Sequence, residues 1–160
     1  MKIQEEKDIT FHVSKRILPL FIKCVKKASP NEASGLIFGN VEQYKQMGEY
    51  QYHYFSKYFE CIESNYKSPV AFLLDDDEIL YQIAVKVEQQ QELKLIGVFH
   101  SHPSGTTPSS VDYNVMKTFH NANITKFKHL IWIIMDSQND EINGFMTFKG
   151  ALTQIQVKLE

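Results

Sequence analysis

His100 and His102 stand one residue apart, and Asp112 follows them within the stretch GVFHSHPSGTTPSSVDYN, residues 97–114. If the two histidines end a strand, its period of two points both side chains to one face, where two neutral imidazoles can bind one ion. Pro103, Gly105 and Pro108 turn the chain back and bring Asp112 into the first turn of a following helix. Ser109 and Asp112 have the S-x-x-D spacing of a capping box, with Asp a weaker fit than the usual Glu or Gln. Two imidazoles and one carboxylate leave a fourth tetrahedral position open, which is the pattern of a catalytic zinc rather than a closed structural one. Water held there would have its pKa lowered from about 16 towards roughly 7, making it a nucleophile at neutral pH. Amide hydrolysis by such a water also needs a carboxylate that takes its proton and hands one to the leaving nitrogen. The chain has many glutamates, and position alone does not say which one serves.

These residues have to be held by the rest of the chain. At 160 residues it reads as one domain, long enough for a core without disulfide staples. The net charge is -2 and no Lys/Arg block stands out, which argues against nucleic acid and against an anionic membrane surface as partners. The longest apolar runs, such as HLIWIIM, are strand length, well short of the roughly 20 residues of a membrane span. The opening MKIQEEKDIT lacks the apolar segment of a secretory signal. The expectation is a cytoplasmic protein whose two cysteines, Cys24 and Cys61, are reduced and structural. His12, His53, His120 and His129 have no setting like that of His100 and read as surface or structural residues.

DITFHV is β-branched and aromatic, as an opening strand would be. Ile17, Leu18, Phe21, Ile22 and Val25 have helical spacing within residues 14–28, and Pro19 places the helix start near it. SPNEASGLIFGN reads as a turn entering a buried strand, with Gly35 and Gly39 bounding Leu-Ile-Phe. EYQYHYFSKYFEC alternates aromatic and polar residues, as one or two half-exposed strands do. VAFLL looks extended. From Asp75 onward Ile79, Leu80, Ile83, Ala84 and Val87 mark an amphipathic helix, and the acidic run Asp75, Asp76, Asp77, Glu78 stabilises its positive end. KLIGVF is a strand leading into His100, SSVDYNVMKTFHNAN a helix, and KHLIWIIMD and EINGFMTFKGALTQIQVKLE are strands with a turn at SQND. Helices and strands interleave, which fits an α/β or α+β domain on one mixed, curved sheet.

HSHP, a short loop and PSSVD together resemble the signature of the JAMM (MPN-plus) metalloproteases. PNEASGLIFG at residues 30–39 resembles the other motif of that family, a Glu followed by two small residues, Gly, and an apolar run ending in Gly. The order of elements matches as well, so the likeness covers essentially residues 1–160 as a single MPN domain. It implies the MPN fold, a curved mixed β-sheet packed by helices and distantly like that of cytidine deaminases. It also implies one zinc ion per chain held by His100, His102 and Asp112, Glu32 as general base, and Ser109 stabilising the oxyanion of the tetrahedral intermediate. Ser101, between the ligands, is left as structural. The loop from His102 to Ser109 is one residue shorter than is usual in the family, which implies a tighter turn and leaves open whether Ser109 or Ser110 faces the oxyanion.

The activity implied is that of a zinc isopeptidase, a deubiquitinase-like metalloprotease that hydrolyses the amide after the C-terminal Gly of ubiquitin or a ubiquitin-like modifier. Two alternatives come with the resemblance. One is processing of a sulfur-carrier or small archaeal-type modifier, and the other is a non-catalytic MPN scaffold. A partner MPN domain or a larger complex is a further expectation. The modifier's tail would lie extended as an added strand at a sheet edge. Deamination is set aside, because zinc deaminases need H-x-E and a later P-C-x-x-C, which Cys24 and Cys61 cannot supply.

Overall fold

The computed structural model describes residues 2–62, 77–121 and 129–160. The expected extended segment VAFLL, and Asp75 and Asp76 of the acidic run, lie outside them. The chain order is β1 (Gln4–Val13), α1 (Leu18–Ala28), β2 (Ser34–Gln46), β3 (Glu49–Ile62), α2 (Asp77–Gln91), β4 (Lys94–His102), α3 (Ser110–Asn121), β5 (Ile131–Asp136), β6 (Ile142–Phe148) and β7 (Ala151–Leu159). Helix α1 carries Pro19 in its first turn, where a missing N–H costs no intrahelical bond.

The strands form one mixed sheet in the order β1-β3-β2-β4-β5-β6-β7. β1 runs parallel to both β3 and β7, so the curved sheet closes on itself. β4 and β5 are also parallel, and the other neighbours are antiparallel. Closure through β1 is short, with Ile9–His12 paired to Tyr52–Phe55 of β3.

Both faces are covered, which explains the unbroken apolar runs in β4 and β5. On one face Ile37, Phe99, Ile131, Ile133 and Met135 pack with Phe21 and Val25 of α1. On the other, Leu36, Phe38, Val98, Trp132 and Ile134 pack with Ala84 and Val87 of α2 and Val115, Met116 and Phe119 of α3. The β2–β4 register skips Ile96, so Val98 and His100 share the face of α2 and α3. Gly35 is required by space. An added Cβ would overlap the Phe59 ring and stand 2.7 Å from the Glu60 carbonyl oxygen.

Two expectations change. β2 does not stop at Gly39 but continues to Gln46, paired with β3 down to Gln46↔Glu49. Its residues from Asn40 onward are exposed, so no core imposes the alternation by which a strand is recognised. The cysteines, expected as reduced thiols, form a disulfide between Cys24 of α1 and Cys61 of β3, with Cα atoms 5.8 Å apart. α1 packs over β3 on the face that carries Phe99 and Ile133, and that packing brings together two cysteines distant in sequence. Among the described residues, no helix is long and apolar enough to cross a membrane.

Candidate metal centre and active site

β4 is an internal strand, with β2 on one side and β5 on the other, and it delivers both histidines to the mouth of the sheet. His100 is fully buried, with its ring edge-on to Trp132, while His102 is half-buried. The carboxylate arrives from α3. Asp112 Oδ2 lies 2.9 Å from His102 Nε2 and 3.4 Å from His100 Nε2, and the two Nε2 atoms are 3.2 Å apart.

The cap of α3 fixes that carboxylate. The Ser109 N–H donates to Asp112 Oδ2 at 2.8 Å, and the Asp112 N–H donates to Ser109 Oγ at 3.0 Å. This is the reciprocal pair of a capping box, made with Asp in place of Glu. Burial acts to raise the Asp112 carboxyl. The bonds to His100 and His102, with the Ser109 amide, outweigh it and hold the group well below the usual carboxylate range. His102 is shifted upward, chiefly by its bond to Asp112.

The loop between ligands and helix is fastened from β5 and β6. Gly105 takes a positive φ of 82°, a conformation that glycine adopts without strain. Its N–H donates to Asp136 Oδ2 at 2.7 Å, and the Gln138 N–H donates to Asp136 Oδ1 at 2.7 Å. The backbone donors Gly105 and Gln138 draw the Asp136 carboxyl below its ordinary range. Asn143 Nδ2 donates to Thr106 Oγ1 at 2.7 Å, and the Ser137 N–H donates to the His102 carbonyl at 2.9 Å.

Glu32 stands just before β2 and is half-buried. Burial pushes its carboxyl above the ordinary value, with His100 and His102 pulling the other way and Asp112 adding to the rise. It shares a cavity of about 360 Å³ with His102, Pro103, Ser109 and Asp112. A second cavity of about 320 Å³, lined by Val25, Lys26, Asn31 and Ser137, also reaches Glu32 and Pro103. The two adjoin at those residues, so a groove runs over Glu32 past His102. Ser109 faces the first cavity and Ser110 is not among its lining residues.

The residues named from sequence, Glu32, His100, His102, Ser109 and Asp112, are therefore brought to one place. Two residues that position the loop, Asp136 and Asn143, were not foreseen there, and Ser101, read as structural, accepts the Ala33 N–H at 2.8 Å. Ser101, Asp136 and Asn143 act through bonds to distant backbone or side chains. Only Asp136 carries a local signal, since an Asp bonding the N–H two residues on marks an Asx-type turn.

Residues 14–148 match the sequence profile of the prokaryotic homologs of the JAB domain. The chain belongs to that family. As a JAB-domain protein it is similar to the desampylase of Pyrococcus furiosus, with 23% identity over 152 residues, covering 94% of this chain and 91% of that one. Among solved structures, a protein of Desulfitobacterium hafniense superposes with a TM-score of 0.66 at 22% identity, covering 95% of this chain and 92% of that one. A JAB1/MPN domain protein of Archaeoglobus fulgidus gives 0.51 at 18% identity, covering 97% and 100%. At these identities the structures bear on the fold, and the mixed sheet with its helices is that of a JAB/MPN domain.

Proposed function

We propose that this JAB domain, residues 1–160, is a zinc-dependent isopeptidase that releases a small ubiquitin-like modifier by hydrolysing the amide after its C-terminal Gly. The observation that carries the reading is the convergence of Asp112 Oδ2 and the two Nε2 atoms at the wall of a cavity that His102 and Asp112 share with Glu32. The two Nε2 atoms stand 3.2 Å apart with Asp112 Oδ2 beside them, close enough for all three to bind one ion, and two nitrogens with one carboxylate are a donor set that suits zinc. His100, His102 and Asp112 would hold the ion, which when bound supplies Lewis acidity and a water acidic enough to react at neutral pH.

Glu32 moves the protons. Its half-buried carboxyl has the raised pKa that suits a group first taking a proton from the attacking water and then giving it to the leaving lysine amine. Ser109 Oγ already accepts from the Asp112 amide, and its own O–H remains able to donate to the developing oxyanion. Asp112 stays ionised because His100, His102 and the Ser109 amide all favour its charge. The groove over Glu32 receives an extended tail.

The sequence resemblance put ubiquitin first among the modifiers. Similarity to a desampylase favours the small-modifier alternative instead. A scaffold without catalysis has no need for these groups to converge. The test is parallel digestion of lysine conjugates of ubiquitin and of a small Gly-Gly-tailed modifier, with and without a zinc chelator. Preferential, chelator-sensitive release of the small modifier is expected. Preferential release of ubiquitin returns the specificity to ubiquitin, equal release of both overturns the preference for the small modifier, and release of neither by zinc-loaded protein favours the scaffold.

A further inference from the structure

Among the described residues, two buried side-chain polar atoms have no hydrogen-bond partner, Ser34 Oγ and His100 Nδ1. Both residues are completely inaccessible to solvent. They are also cross-strand neighbours, because Ser34 of β2 is the direct partner of His100 in the β2–β4 ladder. Directly opposed residues of an antiparallel pair project from the same face, with Cβ atoms about 4.5–5.5 Å apart. The neighbour of His100 on the other side is Ile134 of β5, which has no hydrogen-bonding side chain. Of the two residues directly opposite His100 in the ladder, Ser34 alone carries a hydrogen-bonding side chain.

The chemistry of the two orphans is complementary. His100 Nε2 is turned towards His102 Nε2 and Asp112 Oδ2. For Nε2 to offer its lone pair to a cation, the neutral ring has to carry its proton on Nδ1. That N–H then needs an acceptor, and metal-ligating histidines usually donate the other ring N–H to an outer partner that fixes tautomer and ring orientation. A serine hydroxyl can accept through either lone pair and swings between staggered rotamers to do so.

We propose that Ser34 is a positioning residue for the metal centre, its hydroxyl accepting the His100 Nδ1–H and thereby committing Nε2 to the ion. Ser34 thus does more than satisfy the small-residue requirement of the Glu32 motif. The inference rests on the zinc reading of the site given above, and the experiment separates the two.

Zinc affinity is measured by competition with a chromophoric chelator for the wild type, Ser34→Ala, His100→Ala and the double variant. Ser34→Ala is expected to weaken zinc binding by roughly 10–100-fold. In the His100→Ala background the same change is expected to make no further difference. Equal affinity of the wild type and Ser34→Ala overturns the inference alone, as does an equal loss in both backgrounds. No zinc uptake by the wild type overturns the zinc reading and this inference together. A second measurement needs no variant. Imidazole ¹⁵N NMR of the zinc-loaded wild type is expected to show His100 protonated at Nδ1 with that proton protected from exchange. A rapidly exchanging Nδ1 proton, or protonation at Nε2, contradicts it.

Discussion

Ser101 and Ala33 are joined twice. The Ala33 N–H donates to Ser101 Oγ at 2.8 Å, and the Ser101 N–H donates to the Ala33 carbonyl at 3.1 Å. The residue between the two histidines therefore holds the residue that follows Glu32, and the general-base motif is tied to the metal-site motif through one buried hydroxyl. Ser101→Ala leaves the buried Ala33 N–H without a partner, at a cost of about 1–3 kcal/mol. Urea denaturation is expected to show that loss. Because the ligands themselves are untouched, cleavage should fall by a larger factor than zinc affinity. An unchanged denaturation midpoint would remove Ser101 from this role.

Asp136 secures the turn between ligands and helix by accepting from Gly105 and Gln138. An Asp136→Ala variant loses both acceptors, and the Gly105 and Gln138 amides should then exchange with solvent much faster while the amides of β5 stay protected. The sign with pH follows from the lowered pKa. The bonds are present above the ordinary carboxylate range and persist somewhat below it, and they are lost only as pH falls through the depressed value. Hydrogen exchange by NMR checks both statements. Unchanged exchange at Gly105 would show that the turn holds without Asp136.

Tyr54 gives a pH effect at the other extreme. Burial, with Tyr52 adding to it, pushes its phenol from 10.0 up to about 12, and its O–H donates to the His129 carbonyl at 3.1 Å. A folded-state pKa raised above the unfolded one contributes stability that is complete below pH 10 and is lost as pH rises through about 12. Tyr54→Phe is expected to cost about 1 kcal/mol at neutral pH through the lost hydrogen bond, and to remove one proton's worth of alkaline destabilisation. Melting temperatures across pH 8 to pH 12, roughly spanning the phenol range, should therefore converge for the two proteins. Parallel curves would contradict the assignment.

How much of this was visible in the sequence depends on the range of each interaction. His100, His102 and Asp112 lie within one short segment, where strand periodicity and a capping motif are local rules, so their convergence could be read from spacing. Glu32 lies far upstream, and only the family resemblance singled it out. Ser101 gave no sign of its bond to Ala33, because pairing between β2 and β4 is set by the closed sheet. Asp136 could be read as a turn residue but not as the acceptor for Gly105, since that bond spans two strands. Strand β2 beyond Gly39 was missed because its exposed residues carry no apolar period. The pairing of Cys24 with Cys61 depended on where α1 packs, which no cysteine spacing states.

The central claim is that Glu32 performs the proton chemistry beside a zinc ion held by His100, His102 and Asp112. Its most direct test is single-turnover cleavage of a small Gly-Gly-modifier–lysine conjugate by wild type and Glu32→Gln, with zinc content measured on the same samples. The prediction is one zinc per chain in both, with cleavage by Glu32→Gln reduced by roughly 10²–10⁴-fold. Cleavage at the wild-type rate by a Glu32→Gln variant that retains its zinc would contradict it.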